Sequence, residues 1–280
     1  MSKRKAGSPR PFGPRDDEPN RLCEDGHSPT KQSSFLTILL FLLTISPLSA
    51  SILSLDLCSD QLLAEFLEPE EFYAVSYLAH APDLSSKQEI LKNVPTHGGR
   101  LEDFISPNIK IAISMDKMDP FLKNYFKKKK VSAIILKTPS SLKELKEVWV
   151  KLGRLFGRPQ KAKKLCDRLN SLQTRSKQKI YAFFGVQGIS MGGHTLWSDV
   201  LDKLGHKNAF ADRTGWFYLE FEDLLIHPLD QIIFLSPNMK EATHPFFKKL
   251  VDHTQTINLP TSATLCPCLK SIEQLHGCLP

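Results

Sequence analysis

The chain has 280 residues, 41% of them hydrophobic, and a formal net charge of +7. That length and apolar content build a real core, as one large domain or two ordinary ones, which excludes a wholly disordered protein. The basic residues are dispersed and lack an aromatic-interleaved stripe, which argues against nucleic acid as the partner.

Residues 1–34 are rich in Pro, Gly, Ser and charge and read as disordered. Phe35–Ile45 is an apolar run too short to span a bilayer comfortably, and it matches the apolar region of a secretory signal. Pro47 ends it, and Leu48-Ser49-Ala50 offers a small residue for cleavage, with an uncleaved anchor helix as the alternative. Leu57 is not small, so Cys58 is not read as a lipidation site. Residues 51–280 are therefore expected to be exported. Of the six cysteines, Cys23 would leave with the leader, and Cys58, Cys166, Cys266, Cys268 and Cys278 remain. Cys266-Pro267-Cys268 with His276 and Cys278 carries metal-binding groups. Zinc spacing usually runs C-x-x-C, however, so a disulfide or buried thiols fit better.

Ile52–Leu55 predicts a strand, and Ser59 or Asp60 can cap a helix carrying Leu62, Leu63, Phe66 and Leu67. Phe72–Leu78 predicts the next strand, and His97-Gly98-Gly99 a turn. Leu101–Ile105 reads as a short acidic-start helix, followed by a turn at Pro107 and a strand over Ile109–Ile113. Met118–Lys130 predicts an amphipathic helix whose Lys127–Lys130 run is a solvated end, and Val131–Leu136 a strand. A helix capped by Ser140 or Ser141 runs to Leu155, and Gly157-Arg158-Pro159 interrupts it. A second helix over Gln160–Lys179, apolar on one face and basic on the other, suits a strut between two lobes. Ile180–Phe184 opens the second lobe as a strand. A loop with Gly185, Gly188, Gly192 and Gly193 leads to helix Leu196–Leu204, ended by Gly205. Phe221–Leu225, Pro228 and Ile232–Leu235 repeat the helix, turn and strand of Leu101–Ile113. Pro245–Leu250 predicts a helix, Thr256–Leu259 a strand and Leu269–His276 a final helix. The alternation gives an α/β fold of two lobes with mostly parallel sheets joined by a long interlobe helix. Its parts are a leader and signal segment (1–50), an N-terminal lobe (51–157), the interlobe helix (158–179) and a C-terminal lobe (180–280).

Gly188-Ile189-Ser190-Met191-Gly192 matches the G-x-S-x-G elbow of serine hydrolases, between a predicted strand and helix. Asp223 or Asp230, then His253 or His276, would complete the order Ser, Asp, His, and His97-Gly98-Gly99 resembles an oxyanion loop. The competing reading is a Gly-rich loop at a ligand cleft, where absent side chains let a ligand approach backbone. Tyr77 and His80 end a strand where parallel sheets carry their sites. Trp216 and Tyr218 stand in an aromatic loop able to stack on flat ligands, while Phe217 divides evenly between core and cleft. His80 reads as a surface residue.

The segments Ile52–Leu63, Val75–Ala79, His97-Gly98, the two Glu-containing repeats, Gly153–Pro159, Thr195–Leu201, Gly205–Ala209, His244-Pro245 and the Cys266 region, in this order and spacing, resemble periplasmic substrate-binding proteins of ABC transporters for iron complexes and cobalamin. The resemblance covers nearly all of residues 51–270. It implies two α/β lobes joined by a rigid helix, with ligand held between them and delivered to an inner-membrane ABC permease. It also implies that one surface Glu per lobe docks onto the permease, and Glu102 and Glu222 are the matching positions. Relatives tend to carry a Trp-x-Cys-Gly-Gly-Pro-like stretch where this chain has Thr264–Leu269, so the ligand stays open among cobalamin, haem and ferric siderophores. The expected contacts are Asp56, Tyr77, His97, Gly192, Trp216, Tyr218 and Cys266. The implied protein is a monomeric carrier and not an enzyme, with no cofactor beyond its metal-containing ligand. A disulfide between Cys58 and Cys266 at the cleft is one pairing this arrangement allows.

Overall fold

The computed structural model describes residues 51–174, 177–236 and 254–279. The leader, the predicted helix Pro245–Leu250 and His253 lie outside the described residues. The first lobe begins with β1 (Ile52–Ser54), α1 (Leu57–Leu63), β2 (Phe72–Ser76), α2 (Gln88–Leu91) and β3 (Thr96–His97). It continues through a 3-10 turn at Leu101–Phe104 to β4 (Ile111–Met115), α3 (Pro120–Lys128) and β5 (Ser132–Leu136). These five strands form one parallel sheet in the order β3-β2-β1-β4-β5. Such strands are covered on both faces and so read as continuous apolar runs. Side-chain alternation divides them into two layers. Ile52, Val75 and Ile113 enter the large shared core, while Leu53, Ala74 and Ala112 join an outer layer with Phe104 and Phe126.

Two helices, α4 (Leu142–Leu155) and α5 (Pro159–Asn170), join the lobes. Gly153 lets them approach closely, since a Cβ there would stand 2.7 Å from that of Ala162. The helix predicted to reach Lys179 ends at Asn170. Ser171 donates its hydroxyl to the Arg168 carbonyl (2.8 Å), which competes with the next turn of helix.

The second lobe holds β6 (Ile180–Phe184), β7 (Ile189–Met191), α6 (Leu196–Lys203), β8 (Lys207–Asn208) and β9 (Trp216–Tyr218). It adds α7 (Phe221–Ile226), β10 (Gln231–Phe234), β11 (Gln255–Asn258) and α8 (Leu269–Cys278). Among the described residues β11-β10-β6-β8 form a parallel sheet, and β7 and β9 an antiparallel ribbon. Tyr181, Phe183 and Ile233 face the shared core, and Ala182, Phe184 and Ile232 an outer layer with Leu224. The repeated units therefore do the same work in both lobes. Asp103 accepts the Arg100 N–H and Asp223 the Glu220 N–H, each three residues upstream, while Phe104 and Leu224 plug the outer layers.

The tail leaves the second sheet and returns to the first lobe. Glu65, just past α1, is fully buried. It accepts from the Trp149 indole N–H of α4 (2.8 Å) and from the Leu269 N–H that begins α8 (2.7 Å), with Lys87 Nζ at 3.8 Å. Arg168 of α5 and Glu273 of α8 add an ion pair (2.6 Å). Apolar packing is correspondingly continuous: one cluster runs from Ile52 through Trp149 and Phe183 to Ile272.

Asp60 is buried inside α1 rather than capping it, and it accepts the Ser76 hydroxyl at 2.5 Å. The cap is Asp56, whose carboxylate receives the Cys58 and Ser59 N–H groups. Burial pushes the carboxyls of Asp60 and Glu65 up to about 7. Both therefore bind protons more tightly in the native state than unfolded. The native state holds the excess protons between about pH 4 and 7, so stability should fall as pH rises across that window. Asp60→Asn can still accept the Ser76 N–H and donate to its hydroxyl. It should remove its share of that loss, on the order of 3 kcal/mol between about pH 5 and 8, in denaturant titrations. A variant with the wild-type pH slope would reject this assignment.

Candidate functional site

In both sheets all strands run parallel, so their carboxyl ends gather on one edge, where open α/β sheets carry their sites. The two edges meet at a seam. Cys58, in the first turn of α1, is disulfide-bonded to Cys266, beyond β11. The Leu142 N–H donates to Asp199 of α6 (2.6 Å) beside it. A cavity of about 700 Å³ opens at the ends of β1 and β4, walled by Leu55, Phe104, Met115 and Met118 with Lys117 as its cation. A smaller one, about 190 Å³, lies between the lobes. It is lined by Thr138–Ser140 from the first, His194–Trp197 and Trp216 from the second, and Leu265 beside the disulfide. The two are neighbours. Met115 and Lys117 of the larger flank Asp116, whose carboxylate accepts the N–H (2.7 Å) and hydroxyl (2.5 Å) of Thr138 in the smaller.

The expected contact residues divide into exposed groups and scaffold. Tyr77 (61% exposed), Trp216 (54%) and Tyr218 (69%) are open to solvent. Trp216 and Tyr218 stand on a strand, not a loop, and its alternation turns Phe217 inward. Phe217 packs on Phe210 (5.6 Å) beneath the Arg213 guanidinium. Asp56 lines the larger cavity, but its carboxylate is committed to four donors: the N–H groups of Cys58, Ser59 and Met115 and the Ser114 hydroxyl. It fixes the end of β1 against the end of β4. His97 is buried, with Nε2 on the Ser54 carbonyl (2.7 Å) and its ring edge-on to Phe104 (5.0 Å). Burial lowers its proton affinity, so it sits as a neutral spacer between β3 and β1. Gly192 is needed for packing: a Cβ would stand 2.0 Å from the Arg213 carbonyl oxygen, so chain rather than ligand fills that space. Cys266 is buried and spent in the disulfide. His80 bonds the Leu91 carbonyl (2.9 Å). Glu102 and Glu222 both project to solvent from the second positions of their matched turns.

The hydrolase reading is corrected. Ser190 is the middle residue of β7, fully buried, and donates its hydroxyl to the Phe183 carbonyl (2.6 Å). Pairing with β9 carries the strand straight through the motif, so no elbow forms. Asp223 is held by the Arg213 guanidinium at 2.6 and 2.9 Å, which keeps its carboxyl below the usual range. Asp230 accepts the Ile180 N–H. Among the described residues no three or more His, Cys, Asp or Glu side chains group to hold a metal ion.

No protein-family model and no curated relative matches the sequence. Solved structures do. A possible iron-binding, periplasmic solute-binding protein from Staphylococcus epidermidis aligns with TM-score 0.63 at 20% identity, over 81% of this chain and 96% of that one. A periplasmic heme-binding protein of Vibrio cholerae aligns with TM-score 0.65 at 17% identity, over 80% and 95%. A protein of an ABC-type Fe3+-hydroxamate transport system from Saccharomonospora viridis gives 0.57 at 16%, over 82% and 91%. The chain has the fold of these periplasmic binding proteins. Within that fold, sequence reasoning missed His194, Thr138, Lys117 and the two methionines. The first follows a Gly-Gly pair, the one local sign that the backbone turns sharply there.

The disulfide closes a loop with a sequence separation of 208. The paired substitution Cys58→Ser/Cys266→Ser should cost about 2–4 kcal/mol, seen as a fall in melting temperature of roughly 6–12 °C with the fold retained. An unchanged melting temperature would show that the tail is held by Glu65 and packing alone.

Proposed function

We propose that this protein is the carrier component of an ABC importer. It is exported by way of the Phe35–Ile45 segment, works as a monomer in the periplasm, and brings a metal-containing chelate or macrocycle to an inner-membrane permease. Cobalamin, haem and ferric siderophores are the candidate ligands. The observation that carries this reading is the seam itself: two parallel sheets abut at their carboxyl ends around cavities, one of them lined by the exposed Trp216, while Tyr77 and Tyr218 leave open aromatic faces on strand ends of the two lobes. Flat, apolar ligands gain most of their affinity from such faces, and a few polar groups fix their orientation. The fold-mates named for heme, iron and Fe3+-hydroxamate support the same ligand class. The role is carriage without catalysis, in keeping with a serine motif sealed inside a strand.

In this reading Glu102 and Glu222 are the docking groups, one per lobe. Each is exposed and sits next to an aspartate already engaged in capping, so its own carboxylate is left for a partner cation.

Thermal-shift measurements on the purified protein should separate the ligands. A bound chelate at about a hundred times its dissociation constant stabilises by roughly 2.7 kcal/mol, a rise of several degrees. No shift with cobalamin, haem or a panel of ferric chelates would reject carriage of this class. Charge reversal by Glu102→Lys with Glu222→Lys should abolish stimulation of the permease ATPase and leave ligand affinity intact. Loss of ligand binding instead would count against docking.

A further inference from the structure

The positive charge of the chain is concentrated on the connector between the lobes. Residues 142–170 carry nine basic and three acidic side chains, a net +6 within a chain total of +7, and the rest of residues 51–280 comes to −1. Helical periodicity turns that charge outward. In α4, Leu142, Leu145, Trp149 and Leu152 are buried while Lys143, Lys151 and Arg154 are exposed. In α5, Ala162 and Leu169 are buried while Lys163, Lys164 and Arg168 are exposed. Of the three acids, Glu144 accepts the N–H and hydroxyl of Ser140, which leaves Glu147 and Asp167 among the cations. Arg158, Lys161 and Arg168 pair with Glu71, Glu68 and Glu273. Lys143, Lys151, Arg154, Lys163 and Lys164 have no ion pair among the described residues. Lys146 crosses from α4 to the Asn170 side-chain oxygen (2.6 Å), and Lys203 of α6 donates to the Asn170 carbonyl (3.3 Å), so the cations continue into the second lobe.

A small anion needs donors that converge, whereas these cations are spread along a helix about 20 Å long. Val150 (38% exposed) and Leu155 (39%) lie among them, and Val150 shares a groove with Lys143, Lys146, Lys151 and Arg154. Aliphatic side chains between cations suit the boundary of lipid headgroups and acyl chains. The exposed residues of α4 and α5 include no aromatic ring on which a nucleic-acid base could stack. We propose that the outer face of the connector binds an anionic lipid surface. Lysine and arginine clusters on an amphipathic helix are drawn to such surfaces by charge, and their long stems reach headgroups across an uneven face. The proposal does not depend on what the seam carries. Phe104 and Leu224 seat the turns of Glu102 and Glu222 on the outer layers, whereas Trp149 and Leu169 seat the connector on the shared core. The two surfaces lie across the sheets from each other, so a molecule resting on lipid by its connector turns both glutamates away from it. Holding on lipid and the docking proposed above are then alternative states.

The test is cosedimentation of the full chain with vesicles of phosphatidylcholine alone and with about a third phosphatidylglycerol. Binding to neutral vesicles measures whatever Phe35–Ile45 contributes, and the increment with phosphatidylglycerol measures charge. Two variants lose the same amount of charge at different places. One is Lys143→Gln/Lys151→Gln/Lys163→Gln/Lys164→Gln on the connector, and the other is Lys127→Gln/Lys128→Gln/Lys129→Gln/Lys130→Gln at the end of α3. Gln keeps the helix propensity of Lys, so both should retain the wild-type circular dichroism. The wild type should favour the anionic vesicles by about a hundredfold and lose that preference at about 1 M salt, where the Debye length is about 3 Å. The connector variant should lose about fivefold for each cation that touches the surface, at least about twenty-five-fold in all, while the α3 variant stays within about threefold of wild type. Lys163→Gln/Lys164→Gln alone should give an intermediate loss, a gradation that misfolding does not produce. A wild type without preference for the anionic vesicles would overturn the proposal, as would a connector variant that binds like wild type or two variants that lose equally. Retention on heparin without vesicle binding would assign the face to a soluble polyanion and overturn it as well. None of these changes touches the seam, so the carrier reading survives each outcome.

Discussion

The return of the tail to the first lobe is the constraint on which the rest of the structure depends, and Glu65 is its centre. One carboxyl group joins the end of α1, the indole of Trp149 in the connecting helices and the first N–H of α8. A carboxylate at a helix start is favoured by the helix dipole, and here it lies where no water competes. The C-terminal helix therefore belongs to the first lobe and the connector as much as to the sheet it follows. The two lobes share one apolar core rather than touching across a thin linker. Large rotations of one lobe about the other would open that core, so on the proposed carrier reading ligand entry relies on smaller adjustments at the seam.

That rigidity explains how the expected site residues sort themselves. Groups that hold the strand ends in place (Asp56, His97, Gly192 and Cys266) are buried or saturated, and each fixes one loop of the seam to another. Groups left with open faces or free atoms (Tyr77, Trp216, Tyr218 and His194) stand on those fixed ends. On the proposed reading, a binding surface made this way is set by the scaffold before any ligand arrives, which lowers the ordering cost of association.

Much of the fold was legible because its signals are short-range. Apolar runs gave the strands, Gly205 the end of α6, and the paired Glu-Asp segments the turns that recur in both lobes. Failures came where a distant segment decides. Ser59 and Asp60 are as suited to capping as Asp56, and only the docking of β2 shows that Asp60 is drawn inside. Lys- and Gln-rich sequence after Asn170 has good helix propensity, yet the hydroxyl of Ser171 ends the helix. Ser190 sits in a hydrolase-like pattern, and the ribbon with β9, a pairing invisible locally, keeps it in a strand. The aromatic segment was legible from its composition, but its division into outward Trp216 and Tyr218 and inward Phe217 needed the strand alternation.

The bond between Cys58 and Cys266 carries a consequence for how such a protein is made. With a sequence separation of 208 between the two cysteines, most of the described body becomes a single covalent ring. That ring closes only after the far end has been synthesised and has met an oxidant. Before that moment the polypeptide is a linear thread that can pass through a narrow channel. Afterwards it is too wide for such a channel, so under the export proposed above oxidation would make the passage one-way.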